Sequence, residues 1–136
     1  MIIYKSSIKG MKYEQLKGFF VGWPDPPSQE THLKILQGSA FVILAIDDQN
    51  NKVIGFVNAI SDKILSAYIP LLEVLPEYQK QGIGKELMTR MLDKLSKLYM
   101  IDLCCEEQLK TFYQKFGLSP IPAMGKRNFK FQKGNI

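Results

Sequence analysis

The sequence predicts a mixed α/β fold of the α+β type, with a mostly antiparallel central sheet flanked by about four helices. Three observations predict it. Segments with the composition of strands dominate the first half of the chain, and strands alternate with helices in the second half. Hydrophobic residues make up 46% of the 136 residues and charged residues 23%, which is typical of a globular protein. We therefore expect a single domain that spans residues 1–136.

The chain opens with one short strand and two short helices. Ile2–Lys5 alternates as a strand does, and the apolar residues between positions 13 and 20 lie on one side of a helix. Three prolines in the connector 22–27 exclude a helix there, because each removes a backbone donor. Ser28 is then a favourable N-cap for a second helix that ends near Leu36.

Three predicted strands follow. Residues 40–46 are rich in β-branched and aromatic side chains, the polar residues 47–51 form a turn, and residues 52–60 are the return strand of a hairpin. Gly55 lies inside that return strand and predicts a bulge or a close approach of another element. A third extended segment covers residues 67–74.

The second half begins with a polar loop at residues 76–84 that contains two glycines and leads directly into a helix over 85–98. This helix is strongly amphipathic, because apolar residues recur every three or four positions. They are Leu87, Met91, Leu95 and Leu98. A buried strand over 100–105 and a helix over 107–116 complete the alternation.

The C-terminal tail is basic, and two structures are open for it. Residues 128–131 have the pattern of a last strand. The proline-bearing segment 119–136 is short, so it either forms such strands within the domain or exchanges with a second subunit.

Composition and charge exclude several classes of protein. The longest uninterrupted apolar run, residues 40–46, is far shorter than the roughly 20 residues needed to span a bilayer. Adjacent Cys104 and Cys105 cannot pair with each other, and the single histidine leaves too few ligands for a zinc site. The net charge of +5 favours an anionic partner, either a phosphate-bearing cofactor or nucleic acid. We expect a cytoplasmic protein with no secretory signal, metal site or membrane anchor.

The loop before the long helix has the features of a phosphate site. The first turn of a helix leaves backbone N–H groups unpaired, and Gly82 and Gly84 allow an anion to approach them. Lys80 and Lys85 add positive charge. A P-loop is excluded because Glu86 follows the lysine where Ser or Thr is required, and a dinucleotide fingerprint is excluded because its third glycine is missing.

Two motifs resemble a known family. Residues 71–92, with the pattern Gln79-x-x-Gly82-x-Gly84, resemble the acyl-CoA-binding motif of the GNAT superfamily of N-acetyltransferases. Residues 112–118 resemble the Tyr-x-Lys-x-Gly-Phe segment of the same family. Because the order of elements also agrees, the resemblance covers nearly the whole chain. It implies a GNAT-like fold, with the cofactor loop between a central strand and the long third helix.

The resemblance implies acetyl-CoA as the cofactor, with CoA as a product. The backbone of Leu72, Glu73 and Val74 would pair with the pantetheine arm, and one N–H group would polarise the thioester carbonyl. The pyrophosphate would lie over the loop and the start of the helix. The residues concerned are Gln79, Lys80, Gln81, Gly82, Ile83, Gly84 and Lys85.

Catalytic and acceptor residues also follow from the resemblance. Tyr113 is the expected general acid, which protonates the departing CoA thiolate. Glu73 is either the general base or an anchor for the substrate, and water is the alternative proton carrier. Trp23, Asp25 and Tyr68 are candidate acceptor-binding residues, because aromatic and acidic side chains suit a cationic amine. Packing in the core is the alternative role of the tryptophan.

Four other residues receive simpler interpretations. Glu106 stands where many family members have an asparagine that contacts the cofactor, so one CoA contact is in doubt. Cys104 and Cys105 are interpreted as buried strand residues and not as nucleophiles. His32 lies among polar residues of the second helix and is predicted to be at the surface.

The sequence thus predicts an N-acetyltransferase that moves an acetyl group from acetyl-CoA to a primary amine by direct attack in a ternary complex. The amine belongs to a small molecule or a peptide, and its identity is left open. A non-catalytic CoA-binding regulatory or sensor module is the alternative. A nucleic-acid-binding domain is the weakest hypothesis, because only the basic tail favours it. We expect no nucleic-acid or membrane partner, and a homodimer is open.

Overall fold

One five-stranded sheet organises the protein, as seen in a computed structural model that describes residues 1–136. Its five strands lie side by side in the order of the chain. They are β1 (Ile2–Lys5), β2 (Phe41–Asp47), β3 (Lys52–Ser61), β4 (Ser66–Val74) and β5 (Met100–Asp102). The first three pairings are antiparallel, and only β4 and β5 run parallel. The predicted mixed and mostly antiparallel sheet is confirmed.

Three α-helices pack on this sheet, where about four were predicted. They are α1 (Gln29–Gln37), α2 (Ile83–Lys94) and α3 (Lys110–Gln114). The predicted helix over 13–20 contains only a 3-10 turn, Tyr13–Leu16. It ends there because Gly18 and Phe20 have positive φ angles of 100° and 63°, which a right-handed helix cannot contain.

The end of the chain also differs from the prediction. The last predicted strand, over 128–131, is a 3-10 turn at Phe129–Phe131, and residues 119–131 are all exposed. The strand predicted over 100–105 ends at Asp102, because β5 pairs with only the first three residues of β4. Cys104 and Cys105 lie beyond that end, and both are exposed free thiols and not buried residues as predicted.

Each face of the sheet has its own apolar core. Helix α2 and the residue that follows it cover one face with four side chains that have no exposed surface, which are Leu87, Met88, Met91 and Leu95. A Cβ atom on Gly55 would lie 3.1 Å from Leu87 Cδ1, and the register of β2 and β3 shifts beside this glycine. Both the close approach and the bulge predicted at Gly55 are therefore confirmed. The glycine lets α2 lie directly on the centre of the sheet.

The second core lies between the sheet and α1. Ser28 caps this helix as predicted, because its Oγ accepts a hydrogen bond of 3.1 Å from the N–H group of Thr31. The predicted surface position of His32 is wrong: its ring is 1% exposed. It lies over Phe56 of β3, with ring centroids 4.5 Å apart, because the helix turns this side chain towards the sheet. No helix of the protein is long and apolar enough to span a membrane.

Candidate active site

The edge of β4 opens beyond its first three residues. Ser66, Ala67 and Tyr68 pair with β5, whereas the rest of β4 has a neighbour only on the β3 side. Leu75 donates a backbone hydrogen bond of 2.9 Å to the carbonyl oxygen of Ile54 on β3. Because hydrogen-bonding directions alternate along a strand, the N–H groups of residues 72 and 74 point away from β3. An extended ligand can therefore pair with this edge as an additional strand.

The amide groups that follow this edge are also free. The first hydrogen bond of α2 runs from the N–H group of Glu86 to the carbonyl oxygen of Gly82 at 3.1 Å, and the N–H groups of residues 80–85 have no acceptor in the protein. Lys80 and Gly82 both have positive φ angles, 63° and 82°. Such left-handed residues turn successive amides towards a common point, which creates a concave anion site. A Cβ atom on Gly82 would meet no atom within 4 Å, so the space above it is open.

Side-chain hydrogen bonds fix this loop to the sheet. Nε2 of Gln79 donates to the carbonyl oxygen of Val74 at 3.0 Å, so the glutamine ties the loop to the end of β4. The hydroxyl of Tyr78 donates to Oδ2 of Asp47 at 2.9 Å. The sequence predicted Gln79 only as a cofactor ligand, and its hydrogen bond to the strand was not predicted. The loop is therefore held in place while its amides stay free.

Helix α3 reaches the same region through Phe112, and Tyr113 is the next residue. A Cβ atom on Gly84 would lie 3.8 Å from Phe112 Cζ and 3.8 Å from Val74 Cγ2, so strand, loop and α3 meet at this point. Tyr113 is half-buried beside Phe112. Burial, with a smaller effect of the Cys105 thiol, raises the pKa of Tyr113 to about 12. The phenol therefore keeps its proton throughout the neutral range and can act as a donor but not as a base.

The side chain of Glu73 points to the opposite face of β4. Its Oε1 accepts a hydrogen bond of 2.9 Å from the N–H group of Phe20, and its Oε2 accepts one of 3.2 Å from that of Val21. The ring of Phe20 packs against Trp23, with centroids 4.9 Å apart. Glu73 and Trp23 are thus brought together through the loop between them. No local pattern in the sequence indicates that two backbone amides 52 and 53 residues away bind this carboxylate.

The other two predicted acceptor residues lie at separate positions. Asp25 is exposed, and its backbone N–H group donates to Oε1 of Gln132 at 2.8 Å, so the C-terminal tail crosses the connector here. Tyr68 lies where β4 pairs with β5, six residues and thus about 20 Å along the strand from Val74. A hydrogen bond with Cys104, together with burial, raises the pKa of Tyr68. Only Trp23 among the three is joined to Glu73.

A comparison with models of protein families shows to which family the chain belongs. The model of the acetyltransferase (GNAT) family matches residues 8–118, which is most of the chain. The chain belongs to this family. Acetyl transfer is the activity of this family.

Individual relatives agree with this assignment. An uncharacterized N-acetyltransferase, ycf52, from Pyropia yezoensis is 30% identical over 126 residues, which are 88% of this chain and 72% of the relative. A proposed acetyltransferase from Deinococcus radiodurans R1 has a solved structure with a TM-score of 0.96 and 44% identity, covering 99% of this chain and 94% of that one. A GNAT family acetyltransferase from Streptococcus pneumoniae TIGR4 has a TM-score of 0.76 and 29% identity, covering 94% and 98%.

Proposed function

We propose that this GNAT protein is an acetyl-CoA-dependent N-acetyltransferase that acetylates a primary amine of a small molecule or a peptide by direct attack in a ternary complex. The observation that carries the proposal is a pair of free donor groups close together along the chain. The open edge of β4 ends at Val74, and the uncapped amides of residues 80–85 begin just after the 3-10 turn Pro76–Tyr78. A ligand that is extended at one end and anionic at the other matches both parts, and acetyl-CoA has this form.

The residues present fit such a cofactor. The N–H groups of Leu72 and Val74 would pair with the pantetheine arm, and one of them would polarise the thioester carbonyl. The pyrophosphate would lie over residues 79–85, where the helix dipole adds about half a positive charge. Lys80 and Lys85 are exposed and would add attraction. The side chain of Glu106 is exposed and accepts a hydrogen bond from Gln108, so it supplies no amide to the cofactor.

Tyr113 would assist the departure of CoA. When the amine attacks the acetyl carbonyl and the C–S bond breaks, negative charge develops on sulfur, and a nearby phenol can donate a hydrogen bond to it. The pKa of Tyr113 is raised to about 12, whereas an ordinary thiol titrates near pH 8.5. Complete proton transfer from the phenol to the thiolate is therefore unfavourable. We propose that the main contribution of Tyr113 is a hydrogen bond to the developing thiolate.

The proton of the amine needs a separate acceptor. An alkylamine with a pKa of about 10.4 is mostly protonated at neutral pH and must lose a proton before it attacks. The proposal of Glu73 as base or anchor has to compete with the two backbone hydrogen bonds that its oxygens already accept. Water can carry the proton instead. Trp23, Asp25 and Tyr68 remain our proposed acceptor-binding residues, with Trp23 in the best position because it packs on Phe20.

The decisive experiment measures transfer and binding separately. Protein, acetyl-CoA and a panel of amines (polyamines, amino acids, aminoglycosides and peptides with a free N-terminus or lysine) are mixed, and the release of free thiol is followed. Calorimetry with CoA measures the cofactor site without any acceptor. Amine-dependent thiol release is the expected result, and absence of CoA binding would contradict the proposal.

A specific observation favours a second candidate, a CoA-binding sensor without catalysis. Glu73, the carboxylate of β4, accepts backbone hydrogen bonds with both oxygens, so it is not a free base. A sensor would bind CoA in calorimetry and release no thiol with any amine of the panel. Binding with turnover would exclude this candidate.

We also propose a homodimer that acts in the cytoplasm. Support for the dimer comes from the C-terminal tail, where Ile121, Met124 and Phe129 are exposed, and from the outer edge of β5, which has no neighbouring strand. Monomers rarely expose so many apolar side chains in one segment. Light scattering after gel filtration would measure the mass, and a monomer would refute the assignment.

A further inference from the structure

The loop that contacts Glu73 has an unusual backbone. We call residues 18–23 the aromatic loop, since they include Phe19, Phe20 and Trp23. Three of the first five residues have left-handed φ angles, namely Gly18, Phe20 and Gly22, at 100°, 63° and 84°. Glycine adopts this conformation without strain, but a bulky phenylalanine does so only where its surroundings hold it. Something must therefore stabilise the backbone at position 20.

The carboxylate of Glu73 provides that stabilisation. It binds the N–H groups of Phe20 and Val21, one with each oxygen, on both sides of the strained peptide. Hydrogen bonds to a charged acceptor are stronger than neutral ones. No lysine or arginine forms an ion pair with Glu73, so the two amides are its only polar partners in the protein.

The aromatic loop forms part of a cage of aromatic rings around the only histidine. The rings of Phe19, Phe20 and Phe56 surround His32 with centroid distances of 5.4, 4.9 and 4.5 Å. Neither ring nitrogen has a hydrogen-bond partner, and less than 1 Å² of each is exposed. Burial alone lowers the pKa of His32 to about 4. The state of this imidazole therefore reports whether the loop is in place.

We propose that Glu73 is a positioning residue. Its carboxylate locks the aromatic loop against the sheet and so sets Trp23 on the acceptor side of the thioester, which is the side from which the amine attacks. This inference deepens the proposed acetyl transfer and rests on it for the role of the acceptor side. The locking of the loop itself rests only on the two hydrogen bonds and the strained backbone. Glu73 then acts on the amine through the loop and removes no proton.

The first test needs no substrate. The titration of His32 is followed by NMR in the wild type and in Glu73→Gln and Glu73→Ala, because a single imidazole needs no assignment. The glutamine keeps one acceptor oxygen and the alanine keeps none. We expect the pKa of His32 to rise from about 4 towards 6.5, further in Glu73→Ala than in Glu73→Gln, because water enters a loosened cage.

The direction of the change separates positioning from simple electrostatics. Removal of a negative charge near an imidazole lowers its pKa, so a rise cannot come from the lost charge. Glu30→Gln is the matched control, because it removes a charge from the helix of His32 without touching the loop. Glu30 and Lys34 on that helix are exposed, and Glu73 is the charged group behind the loop. An unchanged titration in Glu73→Ala would overturn the proposal.

Kinetics provide the second test. For a positioning residue we expect Glu73→Gln to raise the KM of the amine by roughly tenfold, with the KM of acetyl-CoA and the acid limb of the pH profile unchanged. A general base would instead lose kcat by about 10²-fold or more together with that acid limb, and His32 would titrate as in the wild type. This second outcome overturns the inference. If the wild type transfers no acetyl group, the proposed function fails, while the titration still tests the lock.

Discussion

The two sides of β4 handle their polar groups in opposite ways. At the open edge of β4 and in residues 80–85 at the start of α2, the backbone donors have no acceptor in the protein. On the α1 side, the aromatic loop is bound to Glu73, and the connector is bound to the tail through Gln132. Free backbone donors are available to a ligand that carries acceptor groups. Donors that are already hydrogen-bonded within the protein instead fix the conformation of a loop.

This contrast explains which part of the function can be assigned. Backbone amides require only an anion and an extended chain, which the proposed cofactor acetyl-CoA would supply whatever the side chains are. The acceptor side depends on the shape of a loop that long-range contacts hold. A fold shared by a whole family therefore does not fix the acceptor.

The largest expected effect is on turnover and tests the proposed role of Tyr113 at the cofactor side. In Tyr113→Phe, we expect kcat to fall by about 10³-fold, equivalent to about 4 kcal/mol, because the developing thiolate loses its donor. The Kd of acetyl-CoA should stay within a factor of about two, since the phenol adds no contact to the pyrophosphate. Steady-state kinetics and calorimetry measure the two quantities. Tyr99→Phe is a matched control on an exposed tyrosine, and an equal loss of turnover there would contradict the assignment.

The next effect concerns the burial of His32 behind the aromatic loop. The pKa of His32 is lowered to about 4 in the folded state against 6.5 for an exposed histidine. The unfolded chain therefore binds more protons between these values, so the free energy of unfolding should fall by about 3 kcal/mol as the pH drops from 6.5 to 4. Urea unfolding at several pH values measures it.

His32→Phe is the control for this pH dependence, because a phenyl ring fits the aromatic cage and does not titrate. The slope between pH 4 and 6.5 should disappear in this variant. Asp47 and Asp62 also have lowered pKa values, through backbone hydrogen bonds from Gln49 and Ile64 respectively, but their contributions are lost below their ordinary range near 3.8. A slope that persists in His32→Phe would show that His32 is not the source of the pH dependence.

The smallest effect tests the free amides directly. Gly84→Asp places a carboxylate where the pyrophosphate is proposed to bind, and we expect the affinity for CoA to fall about 30-fold, equivalent to about 2 kcal/mol. The fold should be unaffected, because a Cβ atom there makes only ordinary contacts at 3.8 Å and an acidic residue suits a helix N-terminus. Gly84→Asn is the uncharged control. Equal affinities of the two variants would mean that no anion binds at this position.

The sequence predicted the parts of the fold that depend on local signals. The alternating strands, the glycine at the crossing of α2 and the cap of α1 all follow from side-chain pattern over a few residues. The uncapped start of α2 was also predictable, because helix geometry leaves those amides unpaired in any protein. The helix over 13–20 was not, since its apolar pattern continues through Gly18 and Phe20, which have positive φ angles, and Phe20 donates its N–H group to the distant Glu73.

The amino-acid sequence by itself determined the sheet, the long amphipathic helix and the donor-rich loop between them, because periodicity, glycine and capping act over short distances. The tertiary structure alone decided the burial of His32, the exposure of Cys104 and Cys105, and the attachment of Glu73 to the aromatic loop. These features depend on which distant residues contact each side chain in the folded protein. A local sequence pattern does not indicate such contacts, and the acceptor side of this protein is built from them.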